Sequence, residues 1–473
     1  MIEGLRPYEE YRASGARWLG AVPRHWEVCR AKRLFSPRKE LAGADEVQLS
    51  ATQAYGVIPQ AEFERRVGRR VVRISMHLEK RRRVELNDFV ISMRSFQGGL
   101  ERAWASGAIR SSYVVLKPGP RVRGGYFAHL FKSAGYIRAL QSTASFIRDG
   151  QDLNFGNFSP TDLPVPLVEE QMAIARFLDH ANLRIERYIR AKRKLIALLN
   201  EQKQAIIQGV VTGGLEPKAP MKDSGVPWIG EIPAHWEAPA AISGLRLIQT
   251  GPFGSQLHSH EYVNGGVPVI NPIHIKEGRV VPASDVTVSC EKARVLGRHR
   301  FHEGDIVVAR RGDLGRCAVV APSGTGWICG TGSLLLRCRL EAFVPQYFQA
   351  VFSSAGVCAE LAAASIGSTM ANLNAGMVAR LRLPRPPLEE QLRIVEAVSV
   401  VASRFAAATA LIEKEIGIVR EYRTRLIADV VAGQLDVREA ARNLPDVNPE
   451  ELEAEPTESE AEADLDPAES EAA

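Results

Sequence analysis

The sequence predicts an α+β protein: two mixed α/β domains joined by two long antiparallel coiled-coil helices, arranged as a pseudo-twofold internal duplication. Three observations predict it. Ser14-Gly15, Trp18, Gly20, Pro23 and His25-Trp26-Glu27 recur 210 residues later as Ser224-Gly225, Trp228, Gly230, Pro233 and His235-Trp236-Glu237. Leu163-Pro164, Pro166, Glu169-Glu170-Gln171 and Ile174 return 220 residues on as Leu383-Pro384, Pro386, Glu389-Glu390-Gln391 and Ile394, while Val211, Gly213 and Leu215 return as Val431, Gly433 and Leu435. After each second echo, apolar residues recur at three and four spacing over many turns. What lies between the echoes hardly matches, so one frame carries two different inserts, and one scaffold making two different recognitions is the natural reading.

In chain order, the first insert spans about 27–165. Its segment from Leu86 to Arg94 is a turn feeding a buried strand that ends in arginine, and the same element returns from His302 to Arg311 in the second insert, about 237–385. Basic residues bunch in the first insert as Arg65-Arg66, Arg69-Arg70, Arg73 and Lys80-Arg81-Arg82-Arg83. Such runs ordinarily mark a solvated face; two clusters in one half of a positive domain point to phosphate contact. Arg94 and Arg311, at equivalent strand ends, are placed where a side chain can reach a groove or close an ion pair.

Pro166 opens the first long helix, with Glu169 and Glu170 at the positive end of its dipole. Its stripe reads Ile174, Leu178, Ala181, Ile185, Tyr188, then Leu195, Leu199 and Ile206; the second copy reads Ile394, Val398, Val401, Phe405, Ala408, Ile412, then Val419, Tyr422 and Leu426. Glycines at 213–214 and 433 stop both helices. Each is expected to cover about 43 residues, roughly 65 Å. A stripe of that length needs a partner, and the matching copy supplies it: Leu178, Ile185 and Leu199 are expected to face Val398, Phe405 and Val419. Antiparallel pairing makes a dumbbell and returns residues near 433–440 to the N-terminal segment 8–27. The expected divisions are 1–165, 166–213, 214–385, 386–435 and an acidic tail, 436–473.

Charge is divided along the chain. The net +5 conceals a tail with no Lys or Arg after Arg442 and twelve acids from Asp446 to Glu471. The rest carries 60 basic against 43 acidic residues, a net +17, and should attract a polyanion. The tail, rich in Ala, Glu, Ser and Pro, is expected to be disordered. No apolar run approaches the roughly 18 residues of a membrane span, and the N-terminus lacks the features of a secretion signal; a cytoplasmic location is expected. The six cysteines form no Cys-x-x-Cys pair and are expected to be buried free thiols in a reducing compartment.

Enzymatic chemistry finds no footing. There is no Gly-Lys dipeptide, hence no phosphate loop. Asn271-Pro272-Ile273-His274 lacks the aromatic residue that a base methyltransferase stacks on a flipped base. The acid-x-Lys pairs Glu201-Gln202-Lys203 and Glu216-Pro217-Lys218 lie in the helix and a linker, not on strands beside a second acid. His25 and His235, each beside a Trp, are expected to pack at a domain–helix junction. Neither a metal nor a cofactor is implied, and a stand-alone nuclease with an unrecognised site is the rival reading.

The Pro-x-His-Trp-Glu repeat, the Gly-Pro-Phe-Gly-Ser-Gln-Leu turn at 251–257, the Leu-Pro-x-Pro-x-x-Glu-Glu-Gln helix start in both copies and Gly-Ser-Thr-x-x-Asn-Leu-Asn at 367–374 resemble the DNA specificity subunits of type I restriction-modification systems. The resemblance covers nearly the whole chain except the acidic tail. It implies that each insert is a target recognition domain reading one half of a split sequence in double-stranded DNA. It also implies that the helices act as spacers docking methyltransferase subunits, that a helicase-endonuclease subunit joins them, and that the chain itself is non-catalytic. One departure stands out: copy one has Gln151-Asp152-Leu153-Asn154 where copy two has the complete Gly-Ser-Thr stretch. The candidate DNA contacts are Arg65, Arg66, Arg69, Arg70, Arg81, Arg82, Arg83 and Arg94 in the first half, and Ser255, Arg310, Arg311, Ser368 and Thr369 in the second.

Overall fold

The computed structural model describes residues 5–43, 45–68, 70–71, 80–92, 95–143, 154–364, 373–445 and 447. Two compact units emerge: Met1–Lys192 with Lys414–Ala473, and Arg193–Glu413. Both divisions fall inside the long helices, so each unit owns part of both.

The two units are built on the same sheet. In unit 1 four antiparallel strands run in the order Phe35–Pro37, Val114–Pro118, Phe89–Ile91, Glu101–Arg102. In unit 2 the same order is Leu245–Thr250, Ser333–Cys338, Ile306–Ala309, Cys317–Val319. The twice-seen turn-and-strand element is therefore the third strand of each sheet. Phe89, Val90 and Ile91, like Ile306, Val307 and Val308, are buried. A helix packs beside each sheet: Gly124–Lys132 sinks Tyr126, Phe127, Leu130 and Phe131, and Pro345–Phe352 sinks Tyr347, Phe348, Val351 and Phe352. Around this shared centre the inserts differ. Unit 1 adds a hairpin, Leu49–Thr52 with Gly56–Pro59, followed by the helix Gln60–Val67. Unit 2 adds a second, mixed sheet of Tyr262–Val263, Thr287–Val288, Val267–Ile270 and Ile328–Cys329.

The frame residues form equivalent hairpins, Tyr11–Ala13 with Ala21–Pro23 and Met221–Asp223 with Glu231–Pro233. After the second long helix Asp436 N donates to Arg6 O at 2.8 Å and Tyr11 Oη donates to Gln434 O at 3.2 Å, so this turn lies against the N-terminal segment.

The long helices span Val168–Gly213 and Leu388–Val431, 46 and 44 residues. Gly214 and Gly433 lie just past their ends at φ 77° and 76°, the left-handed region where a side chain is strained. A Cβ on Gly433 would also meet Pro23 at 2.4 Å. Within unit 1 the helices run antiparallel, with Glu186 paired to Arg423 and Lys192 Nζ 2.6 Å from Glu415.

The apolar seam departs from the expected stripe. Ile174, Leu178, Ala181 and Ile185 are buried, but the next buried position is Ile189, while Tyr188 is 41% exposed and turns its hydroxyl to Glu415 at 3.2 Å. On the second helix Ile394, Ile412, Ile416 and Leu426 are buried, whereas Leu199, Val398, Phe405 and Val419 are only half-buried. The cause is what each stretch touches. Near its ends a helix is packed by a domain core as well, as Ile174 and Leu178 are in unit 1. A helix facing one other helix covers a single narrow face.

Two further expectations need correction. The second long helix contains an 18-residue window of mean hydropathy 1.6, long and apolar enough by composition to cross a membrane, because Ala and Val fill its exposed face as well as its seam. Among the cysteines, Cys29, Cys317, Cys329 and Cys338 are buried and free, but Cys290 is exposed at the head of a short helix and Cys358 is half-buried. Burial pushes the Cys317 thiol up to about 12, with Ser353 opposing through a hydrogen bond.

Candidate nucleic-acid interface

A repeated junction holds each insert to its helix. In unit 1 the Glu170 carboxylate, 4% exposed, accepts from Tyr8 Oη at 2.7 Å and Trp26 Nε1 at 3.0 Å, and lies 2.9 Å from His25 Nε2. In unit 2 Glu390 accepts from Trp236 Nε1 at 3.0 Å and lies 2.9 Å from His235 Nε2. Burial raises the Tyr8 hydroxyl far above its usual range, so it stays protonated and donates. Next in sequence, Gln171 accepts from Arg123 N and donates to Arg121 O and Pro166 O, each at 2.9–3.0 Å. Gln391 does the same with Val344 N, Ala342 O and Pro386 O. The Glu-Glu-Gln motif is thus more than a helix start: its second Glu clamps the frame and its Gln clamps the insert. His25 and His235 are members of that clamp.

The third strand of each sheet is anchored by a buried ion pair. Asp88, 1% exposed, accepts from Arg38 Nε and Nη2 at 2.6 and 3.0 Å; Asp305, also 1% exposed, accepts from Arg337 Nε and Nη2 at 2.7 Å each. Each aspartate also caps the preceding turn, receiving Glu85 N at 2.8 Å or His302 N at 2.7 Å. A bidentate partner is what makes so buried a carboxylate tolerable. The anchor therefore fixes the strand where it begins; in unit 2 the other end leads into Arg310.

At that end in unit 2, Arg310 is half-buried, donates Nε to Leu373 O at 3.0 Å and stacks over Phe253, 5.1 Å from guanidinium to ring centre. Burial, then the neighbouring Arg311, draws its guanidinium below the usual range. Arg311 is exposed beside it. Phe253 is half exposed and belongs to the turn that begins at Gly251, where a Cβ would meet Gly330 O at 1.8 Å, so only glycine admits the crossing. The result is an aromatic ring, a stacked guanidinium and a free-standing arginine on one rim, the residue types that meet bases and phosphates. Ser255 occupies the helical turn after Phe253. Ser368 and Thr369 lie outside the described residues; the stretch resumes at Leu373, and Asn374 caps the following helix through Met377 N at 2.9 Å. Asn154 caps its counterpart in unit 1, so Asn154 and Asn374 each start a helix.

In unit 1 the arginines disperse. Arg65 is exposed on Gln60–Val67, and Arg66, one position on, pairs with Glu62 and lies over Tyr55 at 4.8 Å. Arg70 is exposed, Arg82 half-buried, and Arg83 exposed with Glu85 at 2.7 Å. Arg81, expected to contact DNA, is 5% exposed: it donates to Gly43 O at 3.3 Å and its own carbonyl accepts from Ala42 N at 2.9 Å, so the neighbouring segment covers it. Arg69 and Arg94 lie outside the described residues. What sequence reasoning missed is a cleft of about 890 Å³ where Arg66 and Tyr55 face Arg102, itself stacked over Trp104 at 4.3 Å. The Arg-x-Trp alternation at 102–104 was the available signal. Arg102 is held by Asn87 Oδ1 at 3.0 and 2.5 Å, and Asn87 sits at φ 70°, a strained position that asparagine tolerates best. Lys132 reaches into the same cleft from the neighbouring helix and pairs with the buried Glu101.

Comparison with known proteins agrees with this architecture. Residues 251–416 match the family described as "Type I restriction modification DNA specificity domain". The chain is 22% identical over 349 residues to the type I restriction enzyme EcoKI specificity subunit of Escherichia coli (strain K12), covering 70% of each. Among solved structures, a chain from a study of complex assembly and conformational transition in the type I R-M system aligns with a TM-score of 0.59 at 15% identity, covering 87% of this chain and 98% of that one. The HsdS subunit of Thermoanaerobacter tengcongensis aligns over the same shares at a TM-score of 0.46 and 15% identity.

Proposed function

We propose, for a chain that belongs to the non-catalytic DNA specificity subunits of type I restriction-modification systems, that each unit reads one half of a divided duplex target. The observation that carries this reading is the equivalence of the two sheets beneath unlike inserts: the frame, the buried Asp–Arg anchor and the Glu–Trp clamp repeat, while the surfaces presented do not. Different surfaces on one scaffold select different half-sites. In unit 2 the reading surface is the rim of Phe253, Arg310 and Arg311; in unit 1 it is the cleft of Tyr55, Arg66, Arg102 and Trp104 together with exposed Arg65, Arg70 and Arg83. The net charge of +17 outside the tail supplies the sequence-independent attraction.

Methyltransferase subunits and a helicase-endonuclease subunit are the partners this role requires, in the cytoplasm where the DNA lies, and the paired helices set the length of the unread gap. Genome-wide mapping of methylated bases in a host carrying this chain with its methyltransferase tests the reading. A motif of two defined halves separated by undefined positions is expected; a single uninterrupted motif counts against it. The purified chain with DNA, magnesium, ATP and S-adenosylmethionine should bind without altering the DNA. Cleavage or methylation by the chain alone would instead favour the enzyme reading.

A further inference from the structure

The last described residues of unit 1 lie at an arginine-lined hollow. Leu444 packs against the core of unit 1, and the Pro445 carbonyl accepts from His180 Nε2 at 2.6 Å. Val447, the last residue described, then lines a cavity of about 580 Å³ together with Arg102, Arg123 and Arg176. Asp179 also lines it, but its carboxylate is engaged by His129 Nε2 at 2.7 Å. This hollow shares Leu86, Asn87, Arg102 and Asp179 with the cleft that holds Arg66 and Trp104. Beyond it lie 26 residues, 448–473, with eleven carboxylates and no cation.

We propose that this acidic segment docks on the arginine-bearing surface of unit 1 and competes there with duplex DNA. The proposal rests on the DNA-reading role assigned above and adds to it an internal competitor. Charge complementarity and the point of departure are the grounds. A polar chain of 26 residues has an end-to-end distance of roughly 28 Å, so from Val447 it reaches both the hollow and the adjoining cleft. Single exposed carboxylate–guanidinium pairs are weak, but tethering holds the segment at an effective concentration on the order of 1 mM. With a local dissociation constant of ~0.1 mM, apparent DNA affinity falls about tenfold. The factor is the same for every duplex, so at a given DNA concentration binding that depends on phosphate alone falls below occupancy first, while a target that also offers base contacts stays bound.

The test uses the full chain and a full-length variant in which the eleven acids from 450 to 471 are replaced, Glu by Gln and Asp by Asn. Fluorescence anisotropy with an unrelated duplex should show the variant binding about tenfold tighter at low salt, with the gap closing as salt screens the segment. A labelled peptide of residues 448–473 should bind the neutral-tail variant at low salt, be displaced by duplex, and lose most of its affinity on adding Arg123→Gln and Arg176→Gln. Equal duplex affinity of the two chains overturns the proposal. So does a peptide that fails to bind while neutralisation still tightens DNA binding, because the segment would then act only by repulsion at a distance. If neither chain binds duplex but the peptide binds in an arginine-dependent way, the DNA reading fails and the docking stands.

Discussion

Glu170 and Glu390 show how much of this architecture passes through one carboxylate used twice. Each is buried and accepts a hydrogen bond from an indole N–H. Glu390→Ala leaves the Trp236 donor unpaired and should cost about 1–3 kcal/mol, read as a lower unfolding temperature of the full chain. Glu390→Gln keeps an acceptor in place and should cost less; equal losses would mean that packing, not the hydrogen bond, is what matters. Asp305→Asn strands the Arg337 guanidinium beside a neutral partner and should destabilise by up to ~3–5 kcal/mol by the same measurement. Arg311 makes no ion pair among the described residues, so Arg311→Ala should leave stability alone. If Arg311 meets a base, the loss of about 1–3 kcal/mol is confined to the cognate site and relaxes one half of it; if it meets phosphate, all duplexes weaken alike and the salt slope falls. Unchanged binding would remove it from the interface. At this scale the sequence is least informative. Arg81 and Arg83 stand two apart in one basic run, yet one is buried and the other exposed, and only the path of the strand decides which.

The elements were far more legible. The length of each long helix, its opening at Glu-Glu-Gln and its glycine stop follow from spacing and capping chemistry, which are local. The third strand was visible because it occurs twice. The phase of the seam was not fully legible: Ile189 is buried where Tyr188 was expected, because an amphipathic tyrosine can serve an edge, and an edge cannot be told from a seam without the neighbouring surface. The second sheet of unit 2 was also hidden, since its strands are two to four residues long and carry no readable period. The helices yield a prediction of their own. An insertion in one helix alone should lower stability, by shifting Leu178 and Ile185 against the second helix. Matched four-residue insertions in both add ~6 Å of rise, close to two base pairs at ~3.4 Å. Mapping of methylated sites for the double insertion should return the same two half-sites with a longer undefined gap; an unchanged gap would mean that the helices are not the ruler.

Across the whole molecule, the duplication was readable from the echoes because the frame is where the repeated contacts lie. Trp26 and Trp236, Gln171 and Gln391, Tyr126 and Tyr347 each do the same thing in both units: Tyr126 donates to Val431 O at 2.9 Å, Tyr347 to Val211 O at 3.3 Å. The recognition surfaces were not readable, since an insert that must differ from its twin keeps no echo to compare. That contrast is also the basis of the central claim, that two interchangeable readers hang on one repeated frame. Replacing residues 27–165 with the corresponding insert of another specificity subunit, and mapping the methylated sites made with the same methyltransferase, tests it most directly. One half of the target should change to that of the donor while the other half stays as it was. A hybrid that alters both halves, or folds and methylates with neither half altered, would contradict it.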